Sequence, residues 1–235
     1  MSEVKIARFI DIEACKSIFS ENSTFVLRSP EHYIRLYETS GGITGDRNEG
    51  CAKKVDGGTV GFTSFVMSCW TKLKETEPTH DEWNIFKREE PNIVAIVSTP
   101  SKVCEFLYNA FEMNEEYTKR RFPFLSLKHD KVKYDEKVRF DHTNNIDVVP
   151  FTKGPEYYKE EEYRFVLCYS KPPLIDSYIF SSGIVYMEKC FVNPEISKEN
   201  KIELLSIVGN ARAGYGDFSD KDMCDIIANA DILFR

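Results

Sequence analysis

The sequence predicts an α+β fold: a mixed, mainly antiparallel sheet with flanking helices. Three observations predict it. Short apolar runs of strand length recur, at 62–70, 92–98 and 165–168. Segments of helical period with start signals lie between them. No internal repeat and no linker-like composition divides the 235 residues, so 1–235 is expected as a single domain.

Residues 4–10 (VKIARFI) are apolar enough for a first strand, interrupted by Arg8. Asp11 is placed to cap a helix over 12–19. Residues 24–27 give a second strand. Ser29-Pro30-Glu31 then reads as a helix start, with proline at the first helical position and an acid in the first turn. Tyr33, Leu36 and Tyr37 form an apolar stripe. Between 40 and 61 lie seven of the twelve glycines, with charges among them and little to bury, so a flexible glycine-rich loop or hairpin is expected. It is too loose for a phosphate loop, since no Lys-Ser/Thr follows the glycines at the right distance.

Residues 62–70 (FTSFVMSCW) form an apolar strand carrying Ser64 and Ser68. A short helix over 81–86 is expected, capped by Thr79. Residues 92–98 are a buried strand, and Pro100 starts a helix with Val103, Phe106, Leu107 and Ala110 inward. Strand-like pieces follow at 122–127, 132–134, 138–140, 175–180, 184–187 and 190–192. Asn193-Pro194-Glu195 turns into a helix over 198–208. Residues 220–230 read as helical, and 232–234 as a terminal strand.

Composition excludes some classes. With 42% hydrophobic residues and 17 phenylalanines the chain is not composed for disorder. A net charge of −7 argues against a broad nucleic-acid-coating or membrane-surface protein, although Lys119-Arg120-Arg121 is a local basic patch. No apolar run has transmembrane length and the first residues carry no secretory signature, which gives a cytoplasmic expectation. The seven cysteines stand singly, without C-x-x-C spacing, and read as reduced thiols. The four histidines lack metal-ligand spacing, and no metal is expected.

The stretch 153–169, KGPEYYKEEEYRFVLCY, concentrates candidate chemistry. Its apolar end reads as a buried strand, so the charged half sits at the strand's mouth. Alternation puts Glu160, Glu162 and Arg164 on one face and Glu161, Tyr163 and Phe165 on the other. Two carboxylates and a guanidinium would then share a face. A solvated charge run, with the glutamates paired to Arg164 or Lys159, explains the same residues.

Several pieces together resemble the bacterial domain-of-unknown-function family 2971. They are Arg8 in the first strand, Ser68-Cys69-Trp70, Trp83-x-x-Phe86 before Val94-Ala95-Ile96, Lys153 to Arg164, and Phe191-Val192-Asn193-Pro194. The helix reads Trp-Asn-Ile-Phe where that family more often has Trp-Ser-His-Tyr, so the resemblance implies no histidine role at that helix. The order Arg8, strand serine (Ser64 or Ser68), Glu160-x-Glu162 also resembles the arginine, serine, Glu-x-Glu order of ADP-ribosyltransferases. That resemblance implies NAD as co-substrate. Arg8 and Ser68 would hold it, Trp83 or Tyr163 would stack on nicotinamide, Glu162 and Glu160 would be catalytic, and Arg164 would contact substrate. A bacterial or phage toxin or defence factor is the implied setting, with a small nucleotide ligand and an unspecified acceptor. Two other classes fit the residues: a non-enzymatic binding or regulatory module, and a metal-dependent nuclease using Glu160 and Glu162.

Overall fold

A computed structural model of the chain describes residues 3–19, 24–41, 45–47, 49–53, 59–61, 64–86, 92–113, 124–135, 148–169, 177–181 and 186–203. In chain order these form β1 (Ile6–Asp11), α1 (Ile12–Ile18), β2 (Thr24–Arg28), α2 (Pro30–Thr39), β3 (Cys51–Lys53), β4 (Thr59–Gly61) and β5 (Phe65–Lys72). Next come α3 (His80–Phe86), β6 (Ile93–Ser98), α4 (Pro100–Met113), β7 (Phe124–Lys131) and β8 (Lys133–Tyr134). A 3₁₀ turn (Val149–Phe151), β9 (Thr152–Lys153) and a second 3₁₀ turn (Pro155–Glu160) lead to β10 (Glu162–Tyr169), β11 (Ser177–Ser181) and β12 (Lys189–Val192). Residues 198–203 are helical. The α+β expectation is met. The basic patch at 119–121, the strand at 138–140 and the segments at 220–230 and 232–234 lie outside the described residues. No described helix is long and apolar enough to cross a membrane.

Contacts group the chain into two compact units. The first comprises Met1–Phe25, Trp70–Ala110 and Phe180–Arg235, and the second Val26–Cys69 and Phe111–Ile179.

In the first unit, β1 lies antiparallel to the end of β5 (Ile6 opposite Lys72) and to β6 (Arg8 opposite Ile96), and β12 lies antiparallel to β6 (Cys190 opposite Ile96). All six residues of β6 are buried, which explains its unbroken apolar run. The local start signals work as expected. Asp11 accepts from the Ala14 N–H at 2.7 Å, and Thr79 with Glu82 forms a reciprocal capping box on α3. One sheet face carries Ala7, Ala95, Val97 and Phe191 with Trp83, and Phe9 and Phe86 pack against them.

In the second unit, β10 lies antiparallel to β7 across seven paired positions and also pairs with β5. All of β10 is buried. One face, with Val166 and Cys168, packs on Phe65, Met67 and Phe151, with Cys69 at its edge. Ser29 caps α2, accepting from the His32 N–H at 3.2 Å. Within the glycine-rich segment β3 and β4 pair antiparallel, with Cys51 opposite Gly61. Gly45 turns with φ +84°, and a Cβ there would stand 2.2 Å from the Tyr33 carbonyl oxygen, so the turn can approach α2 only as glycine.

Candidate functional site

The second unit gathers four ionisable side chains, Glu49, Lys153, Glu160 and Glu162, around Arg164. Its guanidinium is wholly buried. Nη1 donates to Glu49 Oε1 at 2.7 Å and to the Pro150 carbonyl at 2.8 Å. Nη2 donates to Glu49 Oε2 at 2.9 Å and to Glu162 Oε2 at 2.9 Å. Lys153 Nζ donates to Glu160 Oε2 at 2.7 Å and lies 3.4 Å from Glu162 Oε2. Burying such charges is tolerable only because each finds an opposite partner.

Local structure explains how the charges meet. The parallel pair β8–β9 sets Tyr134 beside Lys153. The Tyr134 hydroxyl accepts from the Glu162 N–H at 2.7 Å and so fixes where β10 begins. Lys153 Nζ also sits 4.5 Å from the centroid of the Tyr157 ring. The 3₁₀ turn from Pro155 ends at Glu160, and Glu161 takes a left-handed conformation (φ 46°, ψ 43°) before the strand starts. Glu160 therefore reaches Lys153 from a turn, where simple alternation expects extended backbone. Its side chain is 25% exposed, against 7% for Glu162, so Glu160 is the solvent-facing member of the pair.

The surroundings drive the two carboxyls apart. Burial pushes Glu162 up, but Arg164 and Lys153 outweigh it and hold its carboxyl at about 2. Burial raises Glu160 more than Lys153 lowers it. Glu49 is likewise raised, because its desolvation exceeds the pull of Arg164 and Lys153. Lys153 is pushed up: burial alone would lower it, and Glu162, Glu160 and Glu49 reverse the sign. One carboxylate is thus kept charged, with a proton-accepting partner on the same ammonium.

Glu160, Glu162 and Arg164 come together as their spacing suggests. Lys153, and not the exposed Lys159, bridges the two glutamates. Both terminal nitrogens of Arg164, the expected substrate contact, are occupied here by Glu49, Glu162 and Pro150. Ser68 is fully buried. Its neighbour Cys69 packs against Val166 and Cys168, on the β10 face that Glu162 shares, and alternation along β5 turns Ser68 to the opposite face. Ser68 and Glu162 therefore do not share a face. Tyr163 also faces away from Glu162, with its hydroxyl 2.6 Å from His129 Nδ1 and its ring against Phe165.

In the first unit Arg8 is half-buried with its guanidinium carbon 5.7 Å from the Phe25 ring centroid. Trp83 is a core residue there, edge-on to Phe9 at 5.2 Å, on the β1 face of Ala7 and Phe9. Alternation puts Arg8 on the other face. Trp83 and Tyr163, the residues expected to stack on nicotinamide, both pack against other aromatic rings here.

Glu49 was not expected. It lies in a segment read as having little to bury, and its partner is 115 residues away, so no local pattern announces the pair. Lys153 stood within the candidate stretch, but only the 3₁₀ turn brings it to both glutamates. Among the described residues no group of three or more His, Cys, Asp or Glu is arranged to hold a metal ion.

No family model matches the chain, so the resemblance to domain-of-unknown-function family 2971 gains nothing from that comparison. No curated protein matches it significantly. Three solved structures are similar to it. Thermus sp. 2.9 DarT in complex with carba-NAD+ is 11% identical, with 91% of this chain and 92% of that chain covered and a TM-score of 0.37. The same protein in complex with NAD+ is 13% identical, covering 90% and 91%, with a TM-score of 0.37. Its complex with ADP-ribosylated ssDNA is 13% identical, covering 89% of each chain, with a TM-score of 0.38. At TM-scores this low the likeness carries neither a fold nor an activity across to this chain.

Proposed function

We propose that this chain is an NAD-using, ADP-ribosyltransferase-like enzyme acting through the Glu160-x-Glu162 pair. The observation that supports it is the shared ammonium of Lys153, which touches a carboxylate held charged and one held ready for a proton. Two carboxyls driven apart in this way suit two different roles. The bond from the ribose anomeric carbon to nicotinamide breaks with its electron pair leaving on nicotinamide, and positive charge develops on the sugar. Glu162, fixed and ionised, stabilises that charge. Glu160, nearer solvent, takes the proton of the acceptor nucleophile as the new bond forms. Three carboxylates against two cations leave the cluster favourable to a developing cation. A metal-dependent nuclease fits less well, since both glutamates already direct oxygens at Lys153 or Arg164.

Incubation with NAD labelled in its adenylate moiety tests the reading, with protein and single-stranded oligonucleotide offered as separate acceptors. Nicotinamide release and label transfer are expected. Glu162→Gln should lower both by about 10²–10³-fold, the scale for losing one electrostatic contact to a developing charge. Glu161→Gln, on an exposed side chain, is the control that keeps activity. If NAD neither raises the melting temperature nor releases nicotinamide, the non-enzymatic binding module is the better reading. Growth arrest on expression that Glu162→Gln relieves would extend the proposal to a toxin.

A further inference from the structure

The Glu49–Arg164 contact is built like a ligand contact. Both Glu49 oxygens engage both terminal nitrogens of one guanidinium, at 2.7 and 2.9 Å. That two-point fork is the geometry with which arginine binds phosphate. The segment delivering Glu49 is anchored by charge. From 45 to 51 the described buried side chains are Asp46 and Glu49, and no apolar side chain there joins the core. Such a segment opens locally at lower cost than a packed one. The guanidinium has a donor left over as well: Arg164 Nε is buried and has no hydrogen-bond partner among the described residues. A second cation, Lys153 Nζ, stands across Glu162 from it.

We infer that Arg164 is an anion site which the chain's own Glu49 carboxylate fills, and that a phosphate-bearing ligand competes with Glu49 for the same fork. A tetrahedral phosphate offers more acceptor oxygens than a carboxylate, and the spare Nε–H gives one of them a donor. Glu49 then sets the threshold for binding. Apparent affinity falls with the fraction of molecules in which Glu49 has left the fork. This inference uses the geometry of the second unit alone and stands whether or not NAD is turned over.

The test is isothermal titration with inorganic pyrophosphate, and separately with ADP, at fixed ionic strength on the full chain. Glu49→Gln should bind pyrophosphate at least about tenfold more tightly than the wild type, as expected if Glu49 occupies the fork in nine molecules of ten or more. Adding Arg164→Gln to Glu49→Gln should abolish the gain. Tighter binding of ADP than pyrophosphate would make the ligand a nucleotide, and equal binding a free phosphate compound. No gain in a cooperatively folded Glu49→Gln protein overturns the inference. So does a gain that survives loss of Arg164. Should Glu49→Gln fail to fold, hydrogen exchange in the wild type decides: pyrophosphate should speed exchange of the Glu49 and Gly50 amides, and unchanged exchange refutes competition.

Discussion

Replacing Arg164 with methionine keeps much of the side chain's volume and removes its charge, leaving Glu49 and Glu162 facing each other. Their side chains are only 2% and 7% exposed, so water cannot take over the lost contacts. Breaking a buried pair from one side costs about 3–5 kcal/mol. An independent bound agrees. A stranded carboxylate can escape by taking a proton, and from an ordinary value of 4.5 that costs roughly 3 kcal/mol at pH 7, at about 1.4 kcal/mol per pH unit. A loss of this size lowers the melting temperature of a chain of this length by roughly 6–20 °C. Protonation becomes easier in acid, so the penalty should shrink by about 3 kcal/mol between pH 7 and pH 5 for each carboxylate that escapes this way. Urea unfolding followed by circular dichroism at the two pH values measures both effects. A penalty under about 1 kcal/mol at pH 7, or one indifferent to pH, would refute the claim that Arg164 compensates the two buried carboxylates it contacts.

Three further outcomes are expected. The Glu162 carboxyl lies below its ordinary value, so its contribution is present above pH 4.5 and is lost as pH falls toward about 2; across that window the wild type should lose roughly 3 kcal/mol more than Glu162→Gln in pH-dependent unfolding. Gly45→Ala forces a Cβ into the Tyr33 carbonyl at a left-handed φ, and should cost about 1–3 kcal/mol by chemical denaturation. Glu161 is the only described non-glycine residue with positive φ, so Glu161→Val should cost about 1–3 kcal/mol while Glu161→Gly leaves stability equal or higher.

What could be read from the sequence follows the range of the forces involved. Caps act within four residues, so Asp11, Ser29 and Thr79 were legible where they stand. Strand alternation acts over two residues, and it put Glu162 and Arg164 on one face correctly. It could not foresee that Glu160 arrives through a 3₁₀ turn with a left-handed residue behind it. Pairing between distant segments has no local signature. Glu49 sits among glycines because the backbone there must turn tightly against α2, and that composition resembles a solvated loop. For Trp83, Tyr163 and Ser68 residue type suggests a ligand contact, while the face each occupies is set by register and core packing, which no local pattern announces.

Whether the ion cluster serves the fold or the chemistry can be decided by removing all its central charges together. Buried ion clusters gain little stability over well-packed neutral groups of the same shape, and their replacement is often neutral or stabilising by 1–4 kcal/mol. The combination Glu49→Gln, Arg164→Met, Glu162→Gln keeps shape approximately and leaves no stranded charge at those three positions. Lys153 keeps its bond to Glu160. On physical grounds this triple variant should be within about 1 kcal/mol of the wild type or more stable, although Arg164→Met alone is strongly destabilising. A chain that holds an ion cluster its fold does not need holds it for another reason. If the triple variant is as stable as the wild type and has lost nicotinamide release and pyrophosphate binding, the cluster is a site. If it is destabilised by several kcal/mol, the charges are part of the scaffold, and Glu162 would have to be tested as a structural residue first.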